Sequence, residues 1–238
     1  MEVASLYREA DEGLEEVSFG ALEFHDVFKI YRSGPVETVA LRGLDLRVEP
    51  RELVAIFGPS GSGKSTALQL AAGLDEPSAG EVRVFGQSLT HLDEAGLDEH
   101  RSRGVAVIFQ SGNLWPQLTA HENVALTLRL GGRQDADAAA DEALALFRLD
   151  RQRHQRVASL SGGEQQRVAI AAAAAREAPL VLADEPTAEL DKTNERIVLE
   201  ALPHLRDGFD TTVVIVTHSP RVAEAADRVL ELRDGKLV

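Results

Sequence analysis

The stretch ELVAIFGPSGSGKSTALQLAAGL, residues 52–74, decides the fold. It opens on ELVAIF, a short apolar run of the kind found in a strand buried on both faces. It closes on ALQLAAGL, which reads as a helix. Between them, Gly58-Pro59-Ser60-Gly61-Ser62-Gly63-Lys64-Ser65 satisfies G-x-x-x-x-G-K-[ST], and Thr66 follows. Glycines at these places permit positive φ and let backbone N–H groups approach phosphate oxygens. Lys64 supplies a point charge for β- and γ-phosphates, and the Ser65 hydroxyl is a candidate Mg²⁺ ligand. A surface glycine turn would need neither the strand before it nor the helix after it. Alone, the motif says only that the chain binds a nucleotide phosphate; kinases, GTPases and helicases would all fit.

Outward from this motif, ALEFHDVFKIY (21–31) and TVALRGLDLRV (38–48) alternate polar and apolar residues, as half-buried strands do, with Arg32-Ser33-Gly34-Pro35 breaking them apart. EVRVFG (81–86) and VAVIF (105–109) read as further strands, and from 111 to about 160 the pattern turns helical in HENVALTLRL and DEALALFRL. Strand signals return at LVLAD (180–184), TTVVIV (211–216) and RVLELR (228–233), with helical stretches between. Strands alternating with helices predict an α/β fold with a mostly parallel sheet covered on both faces. LVLADEP ends a hydrophobic strand on two acids. Asp184 there is a candidate Mg²⁺ ligand, directly or through water, and Glu185 a candidate to polarise an attacking water.

Composition narrows the class. The chain has 238 residues, no cysteine and a net charge of −14. That acidic balance argues against nucleic acid as the main partner, which usually demands a basic footprint. RQRHQR (151–156) is a local exception and reads as a solvated turn. The longest apolar run, Val168–Ala175, is mostly alanine and far short of a bilayer span. Residues 1–20 are acidic and lack an export signal's basic start and apolar stretch; they read as an extension ahead of the domain. A membrane role must then come through a partner.

LSGGEQQR (160–167) places two glycines behind a serine at the mouth of a second helix, another turn with outward N–H groups suited to an anion. GPSGSGKST, LSGGEQQR, LVLADEPT and VTHS, in that order, resemble the nucleotide-binding subunit of an ATP-binding cassette (ABC) transporter over residues 21–238. The resemblance implies a P-loop NTPase (RecA-like) core, an N-terminal antiparallel β subdomain and an inserted α-helical subdomain. It also implies two subunits, taken as a homodimer, packed head to tail around two Mg-ATP. In that arrangement Ser161, Gly162, Gly163 and Glu164 of one copy face the nucleotide held by the phosphate loop of the other, and Asp191 of the AELD loop (188–191) reaches across.

The same resemblance assigns adenine stacking to Tyr31, against the plain alternative of a strand-end tyrosine. Gln110 becomes the contact to Mg²⁺ and the attacking water, Glu185 the base, and His218 the γ-phosphate contact. FQSGNLWPQLTAHENVAL (109–126) is most similar to the group driving lipoprotein release, macrolide or peptide export and cell-division signalling. Residues 111–121 should then help form a groove for a membrane permease, with Leu114 and Trp115 as anchors; packing of Trp115 inside the helical insertion is the competing reading. The expected location is the cytoplasmic face of the cell membrane, held there by the permease.

Some positions depart from the family pattern. Arg51 stands in place of a common glycine, which predicts a different turn there. Ala172 stands in place of an arginine, Ser219 of an aspartate and Ala188 of a glycine. DNA-repair or chromosome-organising ABC ATPases typically carry long coiled-coil or zinc insertions, which this compact, cysteine-free chain lacks. A nucleotide kinase or GTPase leaves LSGGEQQR unexplained.

Overall fold

The computed structural model describes residues 19–110, 114–188 and 190–238, apart from the side chains of 208 and 209. The extension read over 1–20 therefore lies outside the described residues except for Phe19 and Gly20.

Two sheets form the frame. β1 (Leu22–Ser33) and β2 (Val36–Val48) make an antiparallel pair, and β4 (Ala79–Val84) and β5 (Gln87–Ser88) extend it in the order β2-β1-β4-β5. The larger sheet runs β10-β9-β3-β8-β7-β6, built from β3 (Leu53–Phe57), β6 (Val105–Ile108), β7 (Leu180–Asp184), β8 (Thr212–Thr217), β9 (Arg228–Arg233) and β10 (Lys236–Leu237). Every pairing in it is parallel except β9 with β10. Its apolar strands alternate between two cores: Leu53, Val181, Val213 and Ile215 face one, and Val54, Leu182, Val214 and Val216 face the other. Both faces are covered, as the unbroken apolar runs require.

Helix α1 (Lys64–Ala71) packs in the core shared with the antiparallel sheet. Short α2 (Glu94–Glu99) runs into a π-turn at His100–Gly104. On the other side, α3 (Ala120–Leu130), α4 (Ala136–Leu146) and α5 (Gly162–Ala175) pack against one another, with α6 (Lys192–Phe209) and α7 (Pro220–Glu224) completing that face. The alanines of α5 allow this close approach: Ala171 through Ala175 are all buried.

Register then sets the site. Phe57 pairs with Thr217, Asp184 with Val216, and Ile108 with Ala183. The carboxyl ends of β3, β8, β7 and β6 therefore share one edge, where ligands bind in open α/β sheets. Residues 58–65, Asp184, Glu185, His218 and Gln110 all follow directly from those ends.

The turn at Arg51 corrects one expectation. Arg51 takes φ 64, the left-handed conformation glycine favours, so the arginine does not change the turn type. Its N–H donates to Thr212 Oγ1 at 2.9 Å, and the Glu52 N–H closes on the Glu49 carbonyl at 3.3 Å. The tertiary bond to Thr212 and the local turn bond together hold a conformation the side chain disfavours.

The loop before α3 is pinned by a fully buried asparagine. Asn123 Oδ1 accepts from the Trp115 N–H at 2.7 Å, and its Nδ2 donates to the carbonyls of Trp115 and Thr119 at 3.0 and 2.9 Å. Asn123→Ala leaves the Trp115 N–H without a partner, while the Trp115 and Thr119 carbonyls keep the Leu118 and residue-123 N–H groups, so a loss of about 1–3 kcal/mol is expected in urea unfolding. Trp115 is the only tryptophan of the chain, so a shift in its emission reports release of the loop directly.

Candidate functional site

The phosphate loop is shaped by backbone approaches that no side chain would tolerate. A Cβ at Gly58 would sit 2.2 Å from the Leu232 carbonyl oxygen, and one at Gly63 would sit 2.5 Å from that of Ala40, with Gly63 at φ 103. Ala40 is skipped in the β1–β2 register between the pairs Lys29–Leu41 and Ile30–Val39, so a bulge presents its carbonyl to the loop. Ser60 and Gly61 are exposed at the tip. The Ser62 N–H bonds to the Pro59 carbonyl at 3.2 Å, and the Ser62 carbonyl accepts from Gly235 at 3.0 Å. The buried Ser62 Oγ has no partner among the described residues. Lys64 is 6% exposed, and its ammonium donates to the carbonyls of Gly58 at 2.8 Å and Pro59 at 3.0 Å. Those contacts hold the cation over the loop, at the start of α1, where the helix dipole also favours an anion.

Ser65, in the first turn of α1, donates its hydroxyl to Asp184 Oδ1 at 3.1 Å. Burial pushes the Asp184 carboxyl up and the neighbouring Glu185 charge adds to this, against the opposing pull of Ser65 and Lys64. A carboxylate so disfavoured gains from a nearby cation. An oxygen set of one hydroxyl and one carboxylate suits Mg²⁺, which keeps waters and phosphate oxygens as its remaining ligands. No cluster of three acidic, histidine or cysteine side chains able to hold a metal exists among the described residues.

Glu185 has φ 46 and is held by its N–H to the Val216 carbonyl at 2.9 Å. That backbone is strained for a glutamate. Oε1 lies 2.7 Å from His218 Nδ1, and Oε2 accepts from Thr217 Oγ1 at 3.1 Å. Thr217 Oγ1 also accepts from the Ser219 N–H at 3.0 Å, so one hydroxyl fixes both the acid and the turn carrying His218. Gln110 is exposed beyond β6 and makes no hydrogen bond among the described residues. The segment carrying it is tied to the acid's loop instead: Gln166 Nε2 reaches the carbonyls of Phe109 at 3.3 Å and Pro186 at 3.4 Å.

The LSGGE turn is built as a capping box. Ser161 Oγ accepts from the Glu164 N–H at 3.3 Å, and Glu164 Oε2 accepts from the Ser161 N–H at 2.9 Å. Gln152 steadies Glu164 by donating to Oε1 at 2.8 Å. Gly162 and Gly163 open α5, and their N–H groups have no intrahelical acceptor. Beside them Asp191 caps α6, accepting from Thr193 and Asn194 N–H at 2.9 and 2.8 Å. A Cβ at Gly163 would meet Asn194 Nδ2 at 2.7 Å, so the two helix starts touch. No hydrogen bond or ion pair joins this cluster to the phosphate loop among the described residues. Glu189 of the AELD loop lies outside the described residues.

Tyr31 sits near the end of β1, 39% exposed; its hydroxyl donates to Asp75 Oδ2 at 3.0 Å. Leu114 and the 45%-exposed Trp115 line a cavity of about 500 Å³ with Phe109, Ala169, Ala172 and Arg176. Trp115 is therefore at a groove wall and not enclosed within the helices. Residues 111–113 of the expected groove lie outside the described residues. Where an arginine was expected at 172, alanine leaves the wall bare. Arg176 donates to the carbonyls of Arg101 at 2.8 Å and Ser102 at 2.6 Å. Gln166, Thr217, Asn123 and Asn194 carried no sequence expectation. Spacing could have found only the capping boxes, as S/T-x-x-E at Thr119–Glu122 and Ser161–Glu164.

Comparison with known proteins agrees with this geometry. Residues 41–188 match the family model described as ABC transporter. A lipoprotein-releasing system ATP-binding protein LolD from Chromohalobacter salexigens is 43% identical over 218 residues, covering 91% of this chain and 92% of that protein. The macrolide export ATP-binding/permease protein MacB of Marinobacter nauticus is 40% identical over 220 residues, 91% of this chain but 34% of its own length. Among solved structures, the dimeric ATP-binding cassette MJ0796 in a post-hydrolysis state with ADP and Pi superimposes with a TM-score of 0.85 at 38% identity, covering 91% of this chain and 96% of that one.

Proposed function

The chain belongs to the ABC transporter family as an ATP-hydrolysing nucleotide-binding subunit, and from that premise we propose that it works as a head-to-tail homodimer around two Mg-ATP, driving a membrane permease. The observation that carries this reading is the division of the phosphate-facing groups. One cluster holds residues 58–66 with Asp184, Glu185 and His218. The other holds the open N-terminus of α5 at Gly162 and Gly163, beside Ser161 and Asp191. Among the described residues no hydrogen bond or ion pair joins the second cluster to the phosphate loop, and a second copy would complete each site.

In that site Lys64 and the loop N–H groups from Gly58 to Ser65 hold the phosphates, with Ser60, Gly61, Ser62 and Gly63 shaping the cradle and Thr66 beside it. Ser65, Asp184 and Gln110 hold Mg²⁺, which supplies charge neutralisation on the β- and γ-phosphates. Glu185 takes the proton from the attacking water, and His218, fixed on Glu185 Oε1, faces the γ-phosphate. Tyr31 stacks on adenine. Ser161 and Gly163 of the partner copy donate to the γ-phosphate from the positive end of α5, with Glu164 bracing the turn. ATP then glues the copies and its cleavage releases them.

No helix among the described residues is long and apolar enough to cross a membrane. Attachment to the cytoplasmic face through a permease seated on the Leu114–Trp115 groove accounts for membrane work. The similarity to LolD and MacB favours lipoprotein release or export as the driven process.

Ser161→Glu tests the shared site. An acid in place of the donor sets like charge against the γ-phosphate, and loss of one such contact costs about 10²-fold or more in turnover. Cooperative Mg-ATP hydrolysis, measured with the permease present, should collapse while the variant monomer still binds nucleotide. Unaltered cooperative turnover would overturn the shared-site reading.

A further inference from the structure

Lys29 and Tyr31 are two residues apart on β1, so both side chains leave the same face of the strand. Lys29 Nζ lies 5.0 Å from the Tyr31 ring centroid. It also donates to Asp75 Oδ1 at 2.5 Å and to the Glu76 carbonyl at 2.7 Å. The Tyr31 hydroxyl takes the other oxygen of the same carboxylate. Asp75 Oδ1 further accepts from the Glu76 N–H at 2.8 Å. Burial pushes the Asp75 carboxyl up, but Lys29, the Glu76 N–H and Tyr31 together outweigh it and hold it below its ordinary value. Asp75 lies just beyond α1, where the Leu74 N–H closes on the Gln69 carbonyl at 3.0 Å. The tyrosine ring is therefore fastened to the helix that begins at the phosphate loop, although it grows from a different sheet.

We propose that Lys29 and Asp75 are positioning residues that make Tyr31 a one-sided platform for a purine base, fixed relative to the phosphate loop. The proposal rests on the reading of Tyr31 as the stacking residue. A free tyrosine ring offers both faces and loses rotational freedom on stacking; a ring held at its hydroxyl and covered by an ammonium has already lost it. The Lys29 side chain is only 12% exposed, which strengthens the cation's hold on the ring face. Ring electron density drawn towards Lys29 leaves the opposite face less negative and better suited to an electron-rich purine.

The test uses the full chain and two ligands: ATP, and inorganic tripolyphosphate, which carries phosphates without a base. Tyr31→Ala should weaken ATP about tenfold, the scale of one aromatic–base stack. Lys29→Met and Asp75→Asn should each weaken ATP about three- to tenfold and leave tripolyphosphate within about twofold. The two substitutions change charge in opposite senses, so loss of ATP affinity in both excludes long-range electrostatics. Equal weakening of both ligands would make the pair a structural brace and overturn the proposal. Unchanged ATP affinity in Lys29→Met and Asp75→Asn, with loss in Tyr31→Ala, would overturn it while sparing the stacking residue. No loss in Tyr31→Ala would remove the stacking reading and this proposal together. Should one of the pair fail to fold, the other decides.

Discussion

Lys64→Ala is expected to abolish ATP hydrolysis, by about 10³-fold or more, since a single preorganised charge on a transferring phosphoryl group contributes on that scale. The structure gives two reasons for so large a loss. The ammonium is the positive charge at the loop, and it is already held there by the Gly58 and Pro59 carbonyls, so no reorganisation is needed to place it. Alanine removes the charge and leaves the Gly58 carbonyl without a donor, the Pro59 carbonyl keeping only the Ser62 N–H, so the loop loses its brace as well as its cation. Lys64→Arg should not rescue turnover, because a planar guanidinium cannot occupy the place of a compact ammonium beside these two oxygens. Phosphate release measures the rate, and thermal unfolding checks that the fold survives. Near-normal turnover in Lys64→Ala would contradict the phosphate contact assigned to this side chain.

The phosphate loop and the parallel sheet were legible in the sequence because their signals are local. ELVAIF and LVLAD are short apolar runs, and a strand buried on both faces has to look like that. Lys64, Ser65 and Asp184 follow directly from those strands, so finding the strands found the residues. What the sequence hid depends on pairing at long range. Thr217 shows nothing in its own neighbourhood; its role at Glu185 appears only when β7 and β8 align with Asp184 opposite Val216. Lys29 meets Asp75 across 46 residues, from strand β1 to the loop after α1, a contact that neither periodicity nor spacing encodes. Arg51 shows the reverse: its residue type predicted a different turn, and a tertiary hydrogen bond to Thr212 overrode the local preference. The segment from Leu89 to Gly104, with its π-turn, carried no clear period and gave no expectation.

Glu185→Gln should retain ATP binding, lose turnover by about 10²- to 10⁴-fold as expected for removal of a positioned general base, and accumulate an ATP-bound dimer. The substitution keeps the shape of the side chain, and its amide oxygen can still accept from Thr217, now at 3.1 Å from Oε2. It removes the charge that faces His218 Nδ1 at 2.7 Å. The phosphate loop, Ser65 and Asp184 are untouched, so ATP still enters and still bridges to the α5 terminus of the partner copy. With cleavage blocked, the adhesive is not consumed and mass action shifts the population to the dimer. Light scattering should then report twice the 25.7 kDa of one chain in saturating Mg-ATP and the single-chain mass without nucleotide. Each copy carries −14, so low ionic strength opposes association and the dimer should strengthen as salt screens that repulsion. A Glu185→Gln protein that stays monomeric in saturating Mg-ATP and also turns over normally would remove the shared site and the base assignment together. One that is inactive yet monomeric would keep the base and discard the ATP-bridged homodimer, because a bridge that survives uncleaved has no reason to open.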